Sequence, residues 1–345
     1  MGSMHADVRA ENAESRRAAP LAGSGRGPLL SAGVWAVRTQ EGILLLIVLA
    51  LAIGLGLRSP VFFTGRNLGV LLSQVSMTAI TAVGMTALIV AGEVDLSVGS
   101  LQAVVGVLGM QLLNATHDLA TSLAVGLTVG VAVGLLNGAL TLWLGINSFI
   151  VTLAMLSILR GLAYASTSAA VQNTANLPAF SALGNGFVGF APWPVAFMVL
   201  VFGAFYLVLT RTTFGRHVYA TGGNARAAAL AGVRVQRVKL LCFALTGGLA
   251  ALSALILLSR MNSGQNNAGF GFELQVIGAV LLGGTSLLGG RGSLVGTLLA
   301  VLLLGVLNNG IVLLGINSSW QVAVNGVLIL LAVLLDARRR RATGA

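Results

Sequence analysis

Between residues 43 and 335 the chain is a succession of long apolar runs broken by short polar interruptions. No other feature constrains the fold as much. A soluble domain has no interior that hides so many such runs. In a bilayer the backbone amides are satisfied only in helices or closed barrels. The runs are continuous rather than alternating, which excludes a barrel. The sequence therefore predicts an all-α polytopic membrane protein of about ten transmembrane helices, near 43–57, 68–91, 98–113, 119–144, 149–167, 193–209, 240–258, 274–288, 293–313 and 319–335. Composition points the same way: of 345 residues, 56% are hydrophobic and 8% charged.

The few charges are unevenly placed. The formal net charge is +11, and the basic residues collect at the two chain ends and in segment 211–239. That segment holds Arg211, Arg216, Arg226, Arg234, Arg237 and Lys239 with no acid, whereas the polar stretch 168–191 has no basic residue. Positive charge beside membrane spans belongs on the cytoplasmic face. Ten crossings put both termini and segment 211–239 on that face together, and an odd number would strand one of them. The predicted organisation is a disordered cytoplasmic tail over 1–41, a transmembrane domain over 42–336 carrying the basic loop 211–239, and a basic cytoplasmic tail over 337–345. This distribution is a topology signal, not a nucleic-acid face. Cys242 is the sole cysteine, so no intrachain disulfide and no Cys/His metal cluster is expected.

Within the basic loop, Gly222-Gly223 reads as a turn, Asn224 as a helix cap and the alanine-rich run to Val233 as a short helix. Such a segment is either a plain connection or a docking helix for a soluble partner. The run GRHVYATGGNARAAALAGV resembles the coupling loop of permease subunits of bacterial ABC importers, in the branch that takes up monosaccharides such as ribose. The resemblance extends over about residues 60–336. It implies docking of this loop on an ATPase subunit through Gly215, Gly222, Gly223, Asn224, Ala227, Ala228 and Gly232. Ala225 stands where the family usually has an acid.

The same resemblance implies that this chain performs no covalent chemistry and holds no cofactor, with ATP and Mg on the partner ATPase. It further implies a second permease subunit (a copy of this chain or a close homologue), an extracytoplasmic sugar-binding protein, and the bacterial inner membrane as location. The chain's own GTSLLGGRGS, beginning at Gly284, lacks the lysine and the preceding strand of a phosphate loop. Energy must therefore come from a partner or an ion gradient.

Several polar residues inside apolar surroundings are candidates for the solute path or its gates: Glu93, Asp95, Ser97, Arg160, Gln265, Asn266 and Glu273. Glu93 and Asp95 lie in GEVDLSVGS, similar to the family's G-G-I-D-L-S-V-G with Glu93 in place of a glycine. Asp95 reads either as a cap on the next helix or as a polar point on the path. GEVDLSVGS also resembles GGRGSLVGT at Gly289, and glycine-rich breaks at matching places in two halves point to a transport site. Arg260 and Glu273 flank the polar stretch SRMNSGQNNAGFGFEL and are positioned to pair across its base. Arg160, buried at mid-span, needs acceptors from Asp95, Asn173 or backbone carbonyls of broken helices. Gly126, Gly130, Gly134 and Gly138 share one helix face and let another helix approach closely. Set against the importer reading is a secondary carrier driven by an ion gradient, for which Glu93, Asp95 and Arg160 are the available ionisable residues. A third reading, a membrane scaffold without transport, does not call for glycine-rich breaks.

Overall fold

The computed structural model describes residues 39–167, 170–173 and 177–343, with side chains through Leu334. Most of the predicted tail 1–41 therefore lies outside the described residues, as do the side chains of Arg338 to Arg341. The helices in chain order are α1 (Gln40–Arg58), α2 (Gly65–Val90), α3 (Val98–Thr116), α4 (Leu119–Trp143) and α5 (Ser148–Thr167). After strand β1 (Gln172–Asn173) come α6 (Pro178–Asn185), strands β2 (Phe187–Val188) and β3 (Ala191–Pro192), α7 (Trp193–Arg211), α8 (Thr213–Gly223) and α9 (Ala225–Leu230). The chain continues through α10 (Val235–Met261), β4 (Ser263–Gly264), α11 (Phe272–Leu282), α12 (Leu294–Leu313) and α13 (Trp320–Thr343).

Eight of these helices are long and apolar enough to cross a membrane: α1 to α5, α7, α10 and α12. Two more apolar stretches, α11 and 320–334 of α13, are shorter. Local sequence sets several helix starts. Thr39, Thr64 and Ser293 accept from the backbone N–H of Gly42, Asn67 and Gly296, and Asp118 accepts from Ala120 and Thr121. The outer helices α1 and α7 leave Ile53, Val199 and Leu200 exposed, as lipid-facing surfaces do.

The centre of the bundle is α2 and α10. From Val75 to Val90 every residue of α2 is buried. The glycine face of α4 lies against α10, not on the surface. A Cβ on Gly130 would strike Ala251 and the Gly247 carbonyl, one on Gly134 the Phe243 carbonyl, and one on Gly247 the Gly130 carbonyl. Gly126 and Gly138 receive the side chains of Leu255 and of Leu240 and Phe243.

The polar interruptions are broken helices rather than plain loops. Residues 91–97 separate α2 from α3. The predicted span 274–288 is shorter than expected, because the helix stops at Leu282 and a turn from Ser286 to Gly289 follows. With 11 residues, α11 rises only about 16 Å, roughly half a hydrocarbon core. The chain from 262 to 271 precedes it without regular helix. It runs along α3, with Gly264 against the Gly106 carbonyl and Gly269 against Gly99 and the Gln102 amide.

Candidate functional site

Polar residues gather in two regions. The first is at the end of the bundle that carries the basic segment. There α8 is capped by Thr212, whose hydroxyl accepts from the Gly215 N–H, and α9 is capped by Asn224, which accepts from Ala227 at 2.9 Å. Gly222, in the last turn of α8, lies against the Val90 carbonyl, where a Cβ has no room. The Gly290 N–H donates to that same carbonyl at 2.8 Å. Gly289 and Gly290 have φ of +85° and +74°, a conformation open to glycine at little cost. The Tyr219 hydroxyl donates to the Gly292 carbonyl at 3.1 Å. One short helix thus touches the last residue of α2, where the 91–97 break opens, and the 283–293 break, and these two meet at Val90 and Gly290. Burial pushes the Tyr219 phenol up from its ordinary value of 10.0.

Of the predicted docking residues, Gly223, Asn224, Ala227 and Gly232 are exposed, whereas Ala228 is buried and packs the segment down. Leu230 is 86% exposed, beside exposed Ala229 and Ala231, with Arg226 the one charged residue of 223–232. Gly215 sits against the Leu209 backbone, and Gly232 has φ +86°. Gly215 thereby fixes the turn into α8, and Gly232 the turn out of α9.

Glu93 pairs with Lys239 at 2.6 Å, the one ion pair among the described residues. It ties the 91–97 break to the start of α10. Asp95 is buried, and its Oδ1 accepts from the Ser97 N–H at 2.8 Å and the Ser97 hydroxyl at 2.6 Å. Asn137 of α4 donates to Asp95 Oδ2 at 3.2 Å and to the Ser97 hydroxyl at 2.9 Å. Both carboxylate oxygens therefore have protein donors, and the trio fixes the entry to α3. Asn137 escaped the sequence reading, although a lone amide in an apolar glycine-rich helix was a usable signal.

Arg160 is held by the carbonyls of Asn266, at 3.0 Å, and Ala268, at 2.7 Å. It does not meet Asp95. The Val94 N–H donates to Ser148 at the start of α5, and Arg160 is 12 residues further on, roughly 18 Å by helical rise. Asn173 is not its partner either; its carbonyl accepts from Asn114. No ion pair joins Arg260 to Glu273. The charge facing Glu273 is that of Arg160, across the segment 266–272. The Asn266 amide donates to Thr167, so Asn266 and Arg160 together pin the descending segment to α5.

The second region is a cleft of about 640 Å³ between α2, α11, α12 and α13. Its lining includes Asn67, Gln74, Gln102, Gln275, Asn308, Asn309, Gln321 and Asn325, with Glu273, Phe270 and Phe272. Asn67 and Asn309 bond reciprocally at 3.1 and 2.9 Å. Gln102 donates to Ser253, and Gln321 to the Asn308 carbonyl. Of the polar candidates read from the sequence only Glu273 lines this cleft; Gln265 and Asn266 do not. The lining amides are spread over the helices one or two at a time, too sparse to form a motif.

The sequence from residue 67 to 333 matches the family described as branched-chain amino acid transport system / permease component. The ribose import permease protein RbsC of Escherichia coli K12 is 41% identical over 309 residues, covering 89% of this chain and 95% of that protein. RbsC of Bacillus subtilis is 41% identical over 299 residues, 86% of this chain and 91% of its own length. The L-arabinose transport system permease protein AraH of Escherichia coli K12 is 40% identical over 302 residues, 87% and 91%. No solved structure matches. A helical bundle with broken helices, an amide-lined cleft and this sequence match define a membrane permease. The chain belongs to the family of permease components of that transport system, as a multi-pass protein of the bacterial inner membrane.

Proposed function

We propose that this chain is the permease subunit of an ATP-driven importer for a monosaccharide or similar small polyhydroxylated solute. The observation that carries the reading is the contact of α8 with the end of α2, where the first break opens, and with the second break, through Gly222, Val90 and Gly290. A partner seated on segment 223–232 is thereby linked mechanically to the two places where the bundle's helices are interrupted. The identity to proteins named for ribose and L-arabinose import supports the solute class. In this reading α11 and the start of α13 complete ten crossings, and both termini lie with the basic segment in the cytoplasm. A second permease subunit completes the path, an external binding protein delivers the solute, and ATP with Mg is held by the ATPase.

In vesicles holding the permease, its ATPase and its binding protein, uptake should require ATP and persist when ionophores collapse ion gradients. Uptake driven by an ion gradient without ATP would return the secondary carrier. A cysteine at Leu230 should crosslink to the ATPase from the cytoplasmic side. Labelling of that cysteine from outside intact cells would overturn both docking and topology.

A further inference from the structure

The cleft between α2, α11, α12 and α13 is lined by amides. Its eight side-chain amides each offer donors and an acceptor, as sugar hydroxyls do. Its lining includes no Lys, Arg or His among the described residues, so nothing there neutralises the carboxylate of an amino acid. Glu273 is the one ionisable side chain in it. The volume falls within the range of small-ligand sites.

The polar capacity of this lining is not used up by the protein. Asn308 Oδ1, Asn325 Oδ1 and Glu273 Oε2 are buried acceptors with no hydrogen-bond partner in the protein. Acceptors left so are costly, and each is relieved by a donor such as a hydroxyl. They come from α12, α13 and the first turn of α11, three elements that meet only in the folded chain. Asn67 and Asn309 mark the end of the cleft where α2 begins and α12 ends. From Asn67 to Thr78 the wall formed by α2 descends about 16 Å into the bundle. The segment 266–272, held by Arg160, closes it below.

We propose that this cleft is a resting site for a neutral polyhydroxylated solute, read by Gln74, Asn308 and Asn325, with Glu273 accepting from a hydroxyl at its floor. The inference rests on the importer reading and adds the residues and the selection rule: neutral hydroxyl-rich solutes are admitted and zwitterions are not.

The test uses right-side-out membrane vesicles holding the permease with its ATPase. Single cysteines replace Asn308 or Asn325; the native Cys242 is fully buried. A membrane-impermeant maleimide is applied outside with D-ribose, L-arabinose or L-leucine present. With roughly two sites in three occupied, a pentose should slow labelling about threefold, because only free sites react, and leucine should not. A cysteine at Phe190, which is 99% exposed, should be unaffected. In the complete transporter, Asn308→Leu and Asn325→Leu should lower pentose uptake per assembled complex about fivefold to tenfold. If the unaltered transporter takes up a pentose with ATP but no pentose protects either cysteine and neither leucine variant slows uptake, the cleft is off the route, and the inference fails while the importer reading stands. Protection by L-leucine equal to that by pentose overturns the selection rule. Labelling blocked by assembly alone, whatever the solute, makes the cleft a contact between subunits and also overturns it. Pentose uptake without ATP refutes the importer reading and leaves the cleft's protection pattern as a separate result.

Discussion

The basic-end junction and the cleft are built on opposite principles. The junction is backbone against backbone: Gly222, Val90, Gly289 and Gly290 meet with no side chain between them. The cleft is side chain against space, with amides and a carboxylate whose capacity the protein does not exhaust. Close backbone contact transmits displacement, since packed interiors deform little. Unspent hydrogen bonding discriminates among ligands, since a wrong ligand leaves buried polar groups unpaired. Mechanical coupling and chemical selection are thus placed in different parts of the bundle, joined by α2, whose two ends reach both.

The largest effect that separates the two regions should come from Gly222→Val or Gly290→Val. Each puts a branched side chain into a space filled by backbone, and overpacking costs about 1–3 kcal/mol or more. ATP-coupled uptake should fall at least roughly tenfold, with the pentose protection pattern in the cleft retained. Loss of that protection too would show that the regions are one unit. Measuring both in one vesicle preparation decides the matter.

Next comes Arg160→Met, which removes two charge-assisted bonds from the segment that floors the cleft. Bonds to charged groups are worth about 1.5–3 kcal/mol each at most. Thermal stability and uptake should both drop, and Asp95→Asn should give no rescue, since the two residues do not meet. Recovery in the double variant, scored by protein level and transport, would contradict the geometry.

Smaller effects are expected at the Glu93–Lys239 pair, whose side chains are 12% and 16% accessible. Either single neutralisation strands a partner largely closed to water and should lower stability, with coupling between them in a double-mutant cycle. Independent effects would show that the pair does not tie the break to α10.

The smallest concerns Asp118 at the start of α4. Hydrogen bonds from the Thr121 hydroxyl, then the Ala120 amide, hold its carboxyl below the ordinary value of 3.8. A depressed carboxyl contributes stability above its unfolded value and loses it as pH falls through the folded one. Wild-type protein should therefore lose a small increment of thermal stability below about pH 3.8 that Asp118→Asn never had. Parallel melts at pH 3 and 6 measure it.

What the sequence determined by itself is what depends on neighbours along the chain. Runs of apolar residues demand helices in a bilayer, Thr39, Asp118 and Asn224 cap the helices that follow them, and a cluster of arginines without an acid marks one face. Even the glycine face of α4 was legible, because its spacing is local, although its partner α10 was not. The tertiary structure alone decided which distant groups meet. Asn67 and Asn309 lie 242 positions apart, Arg160 and Ala268 108, and Lys239 and Glu93 146. Arg160's need for acceptors follows from its burial in an apolar span, but several oxygens satisfy that need equally well on paper. Only the descent of segment 262–271 along α3 brings the carbonyls of Asn266 and Ala268 to it. The cleft has the same origin. A solitary amide in an apolar helix is polar in any fold, and it becomes one wall of a site only where packing turns the amides of α2, α12 and α13 toward one space.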